Sequence, residues 1–512
     1  MSDNSTGVGA RALLELQQAL AAGNDSVVSG LLDDRFAAML VEDALAVRDS
    51  IHELPGDFYL KHPRHLMTKS LAEAMGHVHV VDVDVRRRFV EWAKTSQFAQ
   101  PRDSIALTVE HMRSDIAAAR WTEAAEHAHA IQRQLGRSRD VSGFPDIAPL
   151  VLLRAGQAML YVGDSTAAAH AFGEAHRWAN AQGRHPIDAF VRDHLAISDA
   201  LAGGYHLAAS RIVPTDEYPT TAPGTSPHSF EIVGRLVRAM LSVELMRPDS
   251  AELSVAAVAL DQADTDMWWL GAHAHARHEL LWGNPLPELT RLEQRIRNQP
   301  TMTDLSMLPG RLLHADAVSL HQMLGNMVEA RLLLDKVRSH GEASTEQIAA
   351  QARQLLLDRR YRQALDLLRY ALRSGDRKPA LRVLRLSGAY LQDGDVSAQE
   401  VDSVASLLLA TGAYGSLQEA VPEVQRRLLA RVRVHRAPSN AYPFPQRQLD
   451  VTERERDVLV ALRDHSSVRE IARLLGVSEN TVKTHKRGLY RKLGVKSRAE
   501  ALAVAAHHRV LG

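Results

Sequence analysis

One short pattern recurs through the middle of the chain and limits what it can fold into. It consists of a small or basic residue, any residue, often a larger one, two more, and then alanine. It appears as Ala119-Arg-Trp121-Thr-Glu-Ala124, Gly163-Asp-Ser165-Thr-Ala-Ala168, Gly203-Gly-Tyr205-His-Leu-Ala208, Gly325-Asn-Met327-Val-Glu-Ala330 and Arg359-Arg-Tyr361-Arg-Gln-Ala364. The third positions are separated by steps of 44, 40, 122 and 34 residues. The long step equals three units of about 41 residues, a spacing within the range of helical repeats. A helical apolar run precedes each copy, as with Leu152, Leu153, Ala155, Met159 and Leu160. The spacing predicts stacked helix pairs, an α-solenoid. A small residue ends the first helix, the larger one fills the gap, and the alanine lets the two helices approach.

The pattern resembles tetratricopeptide repeats in degenerate form. Ser165 and Met327 replace the aromatic, and residues 214–310 hold no clean copy. Residues 101–436 are therefore predicted to be a tetratricopeptide-like helical repeat region. Residues 1–100 precede it as a helical N-terminal region, in which Ala10–Ala22 sets Leu13, Leu14, Leu16 and Leu20 on one broad face and Leu54-Pro55-Gly56 breaks the pattern. His77–Val85 alternates like a strand but is too short to found a sheet. Pro214–Phe230 carries four prolines and reads as a long loop. Trp268, Trp269 and Trp282 are core or groove candidates. An Arg-rich helix is predicted over 418–434, and residues 437–448, rich in proline, read as a linker.

Charge is unevenly spread along a chain whose net charge is zero. From Val421 onward there are 19 Lys and Arg against nine Asp and Glu, while residues 1–420 carry 42 against 52. A basic tail on an acidic body suits a chain that touches nucleic acid at one end. There is no cysteine among the 512 residues, which excludes disulfides, thiolate zinc sites and cysteine nucleophiles. The N-terminal residues lack a signal-peptide pattern and no apolar run is long enough to span a bilayer, so the expectation is a cytoplasmic protein with no membrane contact.

Residues 449–512 read as two short helices around Leu475-Gly476-Val477-Ser478, a helix-turn-helix over about 467–486. Asp450 or Thr452 can cap a first helix carrying Val458, Leu459 and Leu462. Ser467 can cap the next, which buries Ile471, Ala472, Leu474 and Leu475. Ser478 caps the recognition helix, whose Val482, Leu489 and Leu493 point inward. Lys483, Thr484 and Arg487 share the opposite side by i, i+1 and i+4 spacing, free for a major groove. Lys486, Arg491 and Lys492 add to its positive charge. A last helix from Ser497, with Leu502, Ala505, Ala506 and Val510, offers an apolar stripe for a dimer.

This stretch closely resembles the LuxR-type (LuxR/FixJ) DNA-binding domain. The matching residues are Thr452-Glu-Arg-Glu455, Val458-Leu459, Glu470-Ile471-Ala472, Val477-Ser478, Thr481-Val-Lys-Thr-His485, Lys492-Leu-Gly-Val495, Arg498 and Ala499. The resemblance implies a four-helix head, homodimeric on double-stranded DNA, that regulates transcription. It places base contacts on Lys483, Thr484 and Arg487 and backbone contacts on Thr481, Lys486 and Arg491. The turn before the scaffold helix, His465-Ser-Ser-Val-Arg-Glu470, departs from the family's usual Gly-x-Ser-Asn-Lys-Glu.

Other chemistry is weakly signalled. No Gly-x-x-x-x-Gly-Lys-[Ser/Thr] is present, so no P-loop is expected, and no receiver-like βα alternation is legible. His278-Glu279-Leu-Leu-Trp282 has tryptophan where a zinc-protease helix needs its second ligand. His273, His275 and Glu279, or His77, His79, Asp82 and Asp84, could meet a metal but read as ordinary histidines and acids. The expectation is no catalytic residue, no cofactor and no metal. The chain reads as an all-α DNA-binding regulator whose repeat body takes a protein, peptide or small-molecule ligand. The alternative is a repeat-based adaptor whose basic head binds an acidic protein partner.

Overall fold

The computed structural model describes residues 6–75, 87, 90–92, 101–137, 146–181, 185, 187–212, 228–247, 267–338, 344–373, 378–434, 436–445, 452–493, 495 and 497–507. Among them there is no β-strand. His77–Val85 and most of Pro214–Phe230 lie outside this set. Among the described residues of the N-terminal region run α1 (Thr6–Ala21), α2 (Asp25–Asp34), α3 (Phe36–Glu42), α4 (Ala44–His52), α5 (Gly56–Lys61) and α6 (His65–Met75). On α1 the apolar face is narrower than its sequence suggests: Leu16 is fully buried, but Leu14 is exposed.

The repeat region follows as α7 (Pro101–Ala117), α8 (Trp121–Arg137), α9 (Ala148–Val162), α10 (Ser165–Asn180), α11 (Asp188–Leu201), α12 (Tyr205–Arg211) and α13 (His228–Glu244). It continues as α14 (Trp268–Leu281), α15 (Pro285–Asn298), α16 (Leu308–Met323), α17 (Met327–Arg338), α18 (Thr345–Leu357), α19 (Tyr361–Arg373), α20 (Pro379–Asp393) and α21 (Ala398–Thr411). Most successive helices pack on one another in pairs. The first helix of each pair also packs on the first helix of the next, so α11, α13, α14, α16, α18 and α20 form a continuous inner layer.

Each position of the sequence pattern has one structural job. The first residue is left-handed in all five copies, with φ of 56° at Ala119, 90° at Gly163, 85° at Gly203, 78° at Gly325 and 59° at Arg359. The next residue's N–H then donates to the carbonyl five residues back. Arg120 reaches Asp115 at 2.8 Å, Asp164 reaches Met159 at 3.0 Å, and Asn326 reaches His321 at 2.9 Å. This Schellman closure satisfies carbonyls that the helix end leaves open. The third residue starts the following helix, at Trp121, Ser165, Tyr205, Met327 and Tyr361. The alanines Ala124, Ala168, Ala208, Ala330 and Ala364 are all fully buried. Trp121 fills the gap beside its alanine by packing on Tyr161, ring centroids 4.7 Å apart.

The same closure occurs where no copy was legible. Met246 ends α13 with φ of 55°, and the Arg247 N–H bonds Ser242 O at 2.6 Å. Asn284 then caps α15 through the Leu286 N–H. Both fall within the long step of the pattern. Trp269 is fully buried, Trp282 nearly so, and Trp268 packs on the edge of the core.

The solenoid curls far enough to touch itself. Helix α9 meets α16, α12 meets α21, and α13 meets the 3₁₀ turn Tyr414–Glu419. After that turn Pro422 starts α22 (Pro422–Leu429), which is shorter than the helix expected over 418–434 because proline fits the first helical turn and not its interior. Ala437–Pro445 is packed on the body. Trp282 Nε1 donates to Ala437 O at 2.8 Å, the Ser439 and Asn440 N–H groups donate to Leu281 O, and Asn440 Nδ2 donates to Glu279 O at 3.0 Å. Tyr442 is 3% exposed, so this segment carries a core residue rather than merely spanning a distance.

Candidate nucleic-acid interface

Among the described residues, four helices form the C-terminal head: α23 (Glu453–Asp464), α24 (Val468–Leu475), α25 (Glu479–Leu493) and α26 (Arg498–His507). Thr452 caps α23 in a capping box, its side chain bonded by the Glu455 N–H at 3.3 Å and Glu455 returning to the Thr452 N–H at 2.9 Å. Asp450 lies outside the described residues. Helix α24 ends at Gly476 with φ of 64°, and the Val477 N–H bonds Ala472 O at 3.0 Å. Ser478 then caps α25 by accepting from the Thr481 N–H at 3.1 Å. The tight turn between α24 and α25 thus rests on one left-handed glycine and one serine.

The head has its own apolar core, separate from the body's: Val458, Leu459 and Leu462 from α23, Ile471 and Ala472 from α24, Val482, Leu489 and Leu493 from α25, and Ala501 from α26. Two details of α24 differ from expectation. Ser467 makes no capping hydrogen bond. Leu474 is 59% exposed because it sits about 110° around the helix from the midpoint of the buried pair Ile471 and Ala472. Leu475, on the nearer side, is half-buried.

Burial of Val482 and Leu489 fixes which side of α25 faces out. Lys483, Thr484 and Arg487 are all exposed on that outer side. Arg491 is exposed one turn further on, and Thr481 and Lys486 are half-buried at its flanks. Among the described residues, Lys483, Arg487 and Arg491 form no ion pair. Lys486 Nζ lies 5.3 Å from the centre of the Tyr490 ring. Thr484 Oγ1 donates to Asn480 O at 2.9 Å, which uses its proton and leaves its lone pairs outward. The helix therefore presents unneutralised cations and one hydroxyl acceptor along a single exposed strip.

Lys492, counted with those cations in the sequence, is turned the other way. Its Nζ is 2.6 Å from Glu455 Oε2, tying the end of α25 to the start of α23. Glu455 is buried, and burial alone would raise its carboxyl; the hydrogen bonds from Lys492 and Thr452 outweigh that and hold it below the usual range. Gly488 lies where these helices approach, and a Cβ there would stand 2.8 Å from Glu455 Oε1, so the carboxylate would have to shift. Arg498 closes the other end: its Nε donates to Leu462 O at 2.6 Å and its Nη2 to Arg463 O at 3.0 Å. These bonds take up carbonyls left open at the end of α23. Of the expected stripe on the last helix, Leu502 packs on the head's core. The side chains of Ala505 and Ala506, and Val510 itself, lie outside the description.

Of the residues weighed as metal ligands, the described ones do not converge. His273 Nδ1 is 2.7 Å from Asp316, His275 is 2.8 Å from Glu288, and Glu279 pairs with His278 and accepts from the Asn284 N–H. His77, His79, Asp82 and Asp84 lie outside the described residues.

Known proteins match the head. Residues 450–505 match the family described as bacterial regulatory proteins, luxR family. The chain is 49% identical over 55 residues to the CsgBAC operon transcriptional regulatory protein of Escherichia coli, covering 11% of this chain and 26% of that one. It is 46% identical over 61 residues to the probable transcriptional regulatory protein NarL of Mycobacterium tuberculosis, covering 12% and 28% respectively. A longer match, 32% identical over 145 residues, joins it to the nitrate/nitrite response regulator protein NarP of Escherichia coli, covering 25% of this chain and 66% of that protein. The chain thus spans about a quarter of the length of the first two relatives. Capping box, glycine turn, core and matched residues agree: residues 450–505 are a helix-turn-helix domain of the LuxR family.

Proposed function

We propose that this chain is a transcription regulator that binds double-stranded DNA through α25. In this reading α25 lies in the major groove, Lys483, Thr484 and Arg487 meet base edges, and Thr481, Lys486 and Arg491 meet the phosphate backbone. The observation that carries it is the exposed strip of α25, unpaired in charge and opposite a buried face, within a LuxR-family fold. Arginine and lysine pair with guanine O6 and N7, and threonine can meet several base edges. Two heads bind together as a homodimer on an inverted repeat, with α26 at the contact. The body takes a protein, peptide or small-molecule signal, and the protein works in the cytoplasm without catalysing a reaction. No described helix is long and apolar enough to cross a membrane, which accords with that location.

The experiment is selection from a random-sequence duplex pool by the full chain, followed by mapping of its genomic sites. This reading expects one enriched inverted repeat that recurs at the mapped sites. No enriched sequence, with capture of an acidic protein through the same helix face, would favour the adaptor alternative.

A further inference from the structure

Inside the curl of the solenoid the inner helices line a partly open cavity of about 90 Å³. That is far below the usual size of a drug-like pocket. Beside small residues such as Ala315, Ala349 and Ala413, its wall holds ion pairs contributed by separate repeats. Arg277 on α14 donates through Nε to Glu244 on α13 at 2.8 Å. His273, one turn earlier on α14, meets Asp316 on α16 at 2.7 Å. Lys378, just before α20, pairs with Glu346 in the first turn of α18. Arg353, later on α18, pairs with Glu419 of the 3₁₀ turn at 2.7 Å.

The pairs do not show both members equally to the cavity. Glu244 and Asp316 are 6% accessible against 15% for Arg277 and 12% for His273. Lys378 and Glu346 keep 23% and 29%. The cavity therefore presents the Arg277 guanidinium, the Lys378 ammonium and the His273 ring along one edge, and one open carboxylate, Glu346. Burial would raise Glu346, but the charge and hydrogen bond of Lys378 prevail and bring it to about 2, so it is an anion at neutral pH. A solenoid that needed only stability would fill this space with apolar side chains, because paired buried charges give little net stabilisation over hydrophobic packing.

We propose that this cavity binds a small zwitterion of the α-amino-acid class, its carboxylate on the Arg277 and Lys378 edge and its ammonium on Glu346. The wall charges already cancel in pairs, so a ligand of net charge would leave an excess buried charge, which is costly. A zwitterion supplies both signs and leaves none. The small volume suits a ligand of few heavy atoms, and residues from five repeats line it. Arg353, in the same wall, carries Tyr442 of the segment leading to the head on its guanidinium. Occupancy of the cavity thus bears on how that segment is held. The inference rests on the reading of the body as the sensing module.

Isothermal titration calorimetry of the full chain with glycine, L-alanine, L-serine, propionate and glycerol tests it. At least one of the three amino acids binds one to one. Propionate, alanine without its ammonium, binds at least about tenfold more weakly, the loss of one charged hydrogen bond. Glu346→Gln and, separately, Lys378→Met each weaken amino-acid binding at least about tenfold with an unchanged helical circular dichroism spectrum. Two variants are used so that misfolding of one leaves the other informative. No binding of any of the three amino acids at millimolar concentration overturns the proposal. So does propionate or glycerol binding as tightly as alanine, or amino-acid binding that neither variant weakens. Amino-acid binding that leaves DNA affinity unchanged supports the site and counts against the sensing role of the body.

Discussion

The guanidinium of Arg353 stands 4.1 Å from the centre of the Tyr442 ring while its other edge is held by Glu419 through two hydrogen bonds of 2.7 Å each. Arg353 thus joins an inner helix of the body, the 3₁₀ turn and the segment that leads to the head. Burial pushes the Tyr442 phenol up to about 12, with the Arg353 cation pulling the other way. The ring is neutral at any physiological pH, so the contact is a desolvated cation on an aromatic face.

Tyr442→Ala is predicted to destabilise the body by about 3 kcal/mol, the scale of removing a large buried ring. Limited proteolysis should then cut within 436–445 sooner than in the unsubstituted chain. Tyr442→Leu, which refills much of the volume without the π face, should recover part of the stability. An unchanged urea midpoint and cleavage rate for Tyr442→Ala would show that the segment is not held by this contact.

The left-handed positions give a paired prediction of opposite sign. Gly325 has φ of 78° with nothing within 4 Å of a built Cβ, so Gly325→Ala meets only backbone strain and should cost about 1 kcal/mol. Arg359 occupies the same position in the next repeat with φ of 59°. Arg359→Gly should therefore be neutral or stabilising by up to about 1 kcal/mol. Urea unfolding followed by circular dichroism checks both.

This contrast also explains how much of the fold the sequence made legible. Where glycine stands at the turn and alanine at the close contact, as in Gly163 and Ala168, each residue answers one local demand and the pattern is readable. Met246 makes the same turn without glycine, because the packing around it outweighs the local preference against φ above zero. Tyr442 was hidden for a related reason: a stretch spaced by prolines has no helical or strand period from which burial can be inferred. In the head, the buried positions of α23 and α25 and the outward strip followed from helical spacing alone. The inward turn of Lys492 did not, since a positive charge on a helix does not say which neighbour it meets. Leu474 misled because α24 has only eight residues, too few for its apolar positions to define a single face.

Acid should loosen the head through Glu455. Its carboxyl is held below the unfolded value, so the stability it contributes is present above the ordinary carboxylate range and is lost as pH falls through the depressed value. Lys492→Met removes the largest favourable partner, and the acid unfolding midpoint should move to higher pH. Urea midpoints across the acid range for the full chain and the variant, followed by amide hydrogen exchange within α23 and α25, test this. Parallel pH profiles would contradict it.

A second acid sensitivity lies in the body. Burial, aided by the Arg154 charge and opposed by the hydrogen bond to Phe190 O, brings His194 down to about 4. It is therefore buried neutral, and the unfolded chain binds its proton first. Its contribution is complete above about pH 6.5 and is lost as pH falls from there towards 4, up to about 3 kcal/mol. His194→Gln should flatten stability across that window, as read by urea midpoints at successive pH values.

The central claim is that the exposed strip of α25 reads DNA. It is tested most directly by the affinity of the full chain, across a range of salt concentration, for the duplex it selects from a random pool. Lys486 and Arg491 in each of two heads amount to about four phosphate contacts, so affinity should fall roughly a hundredfold between 50 and 200 mM salt. The variant carrying Lys483→Ala and Arg487→Ala should lose at least about tenfold in affinity and most of its preference over a scrambled duplex. A flat salt response, or a double variant that still prefers the selected duplex as strongly, would contradict the account.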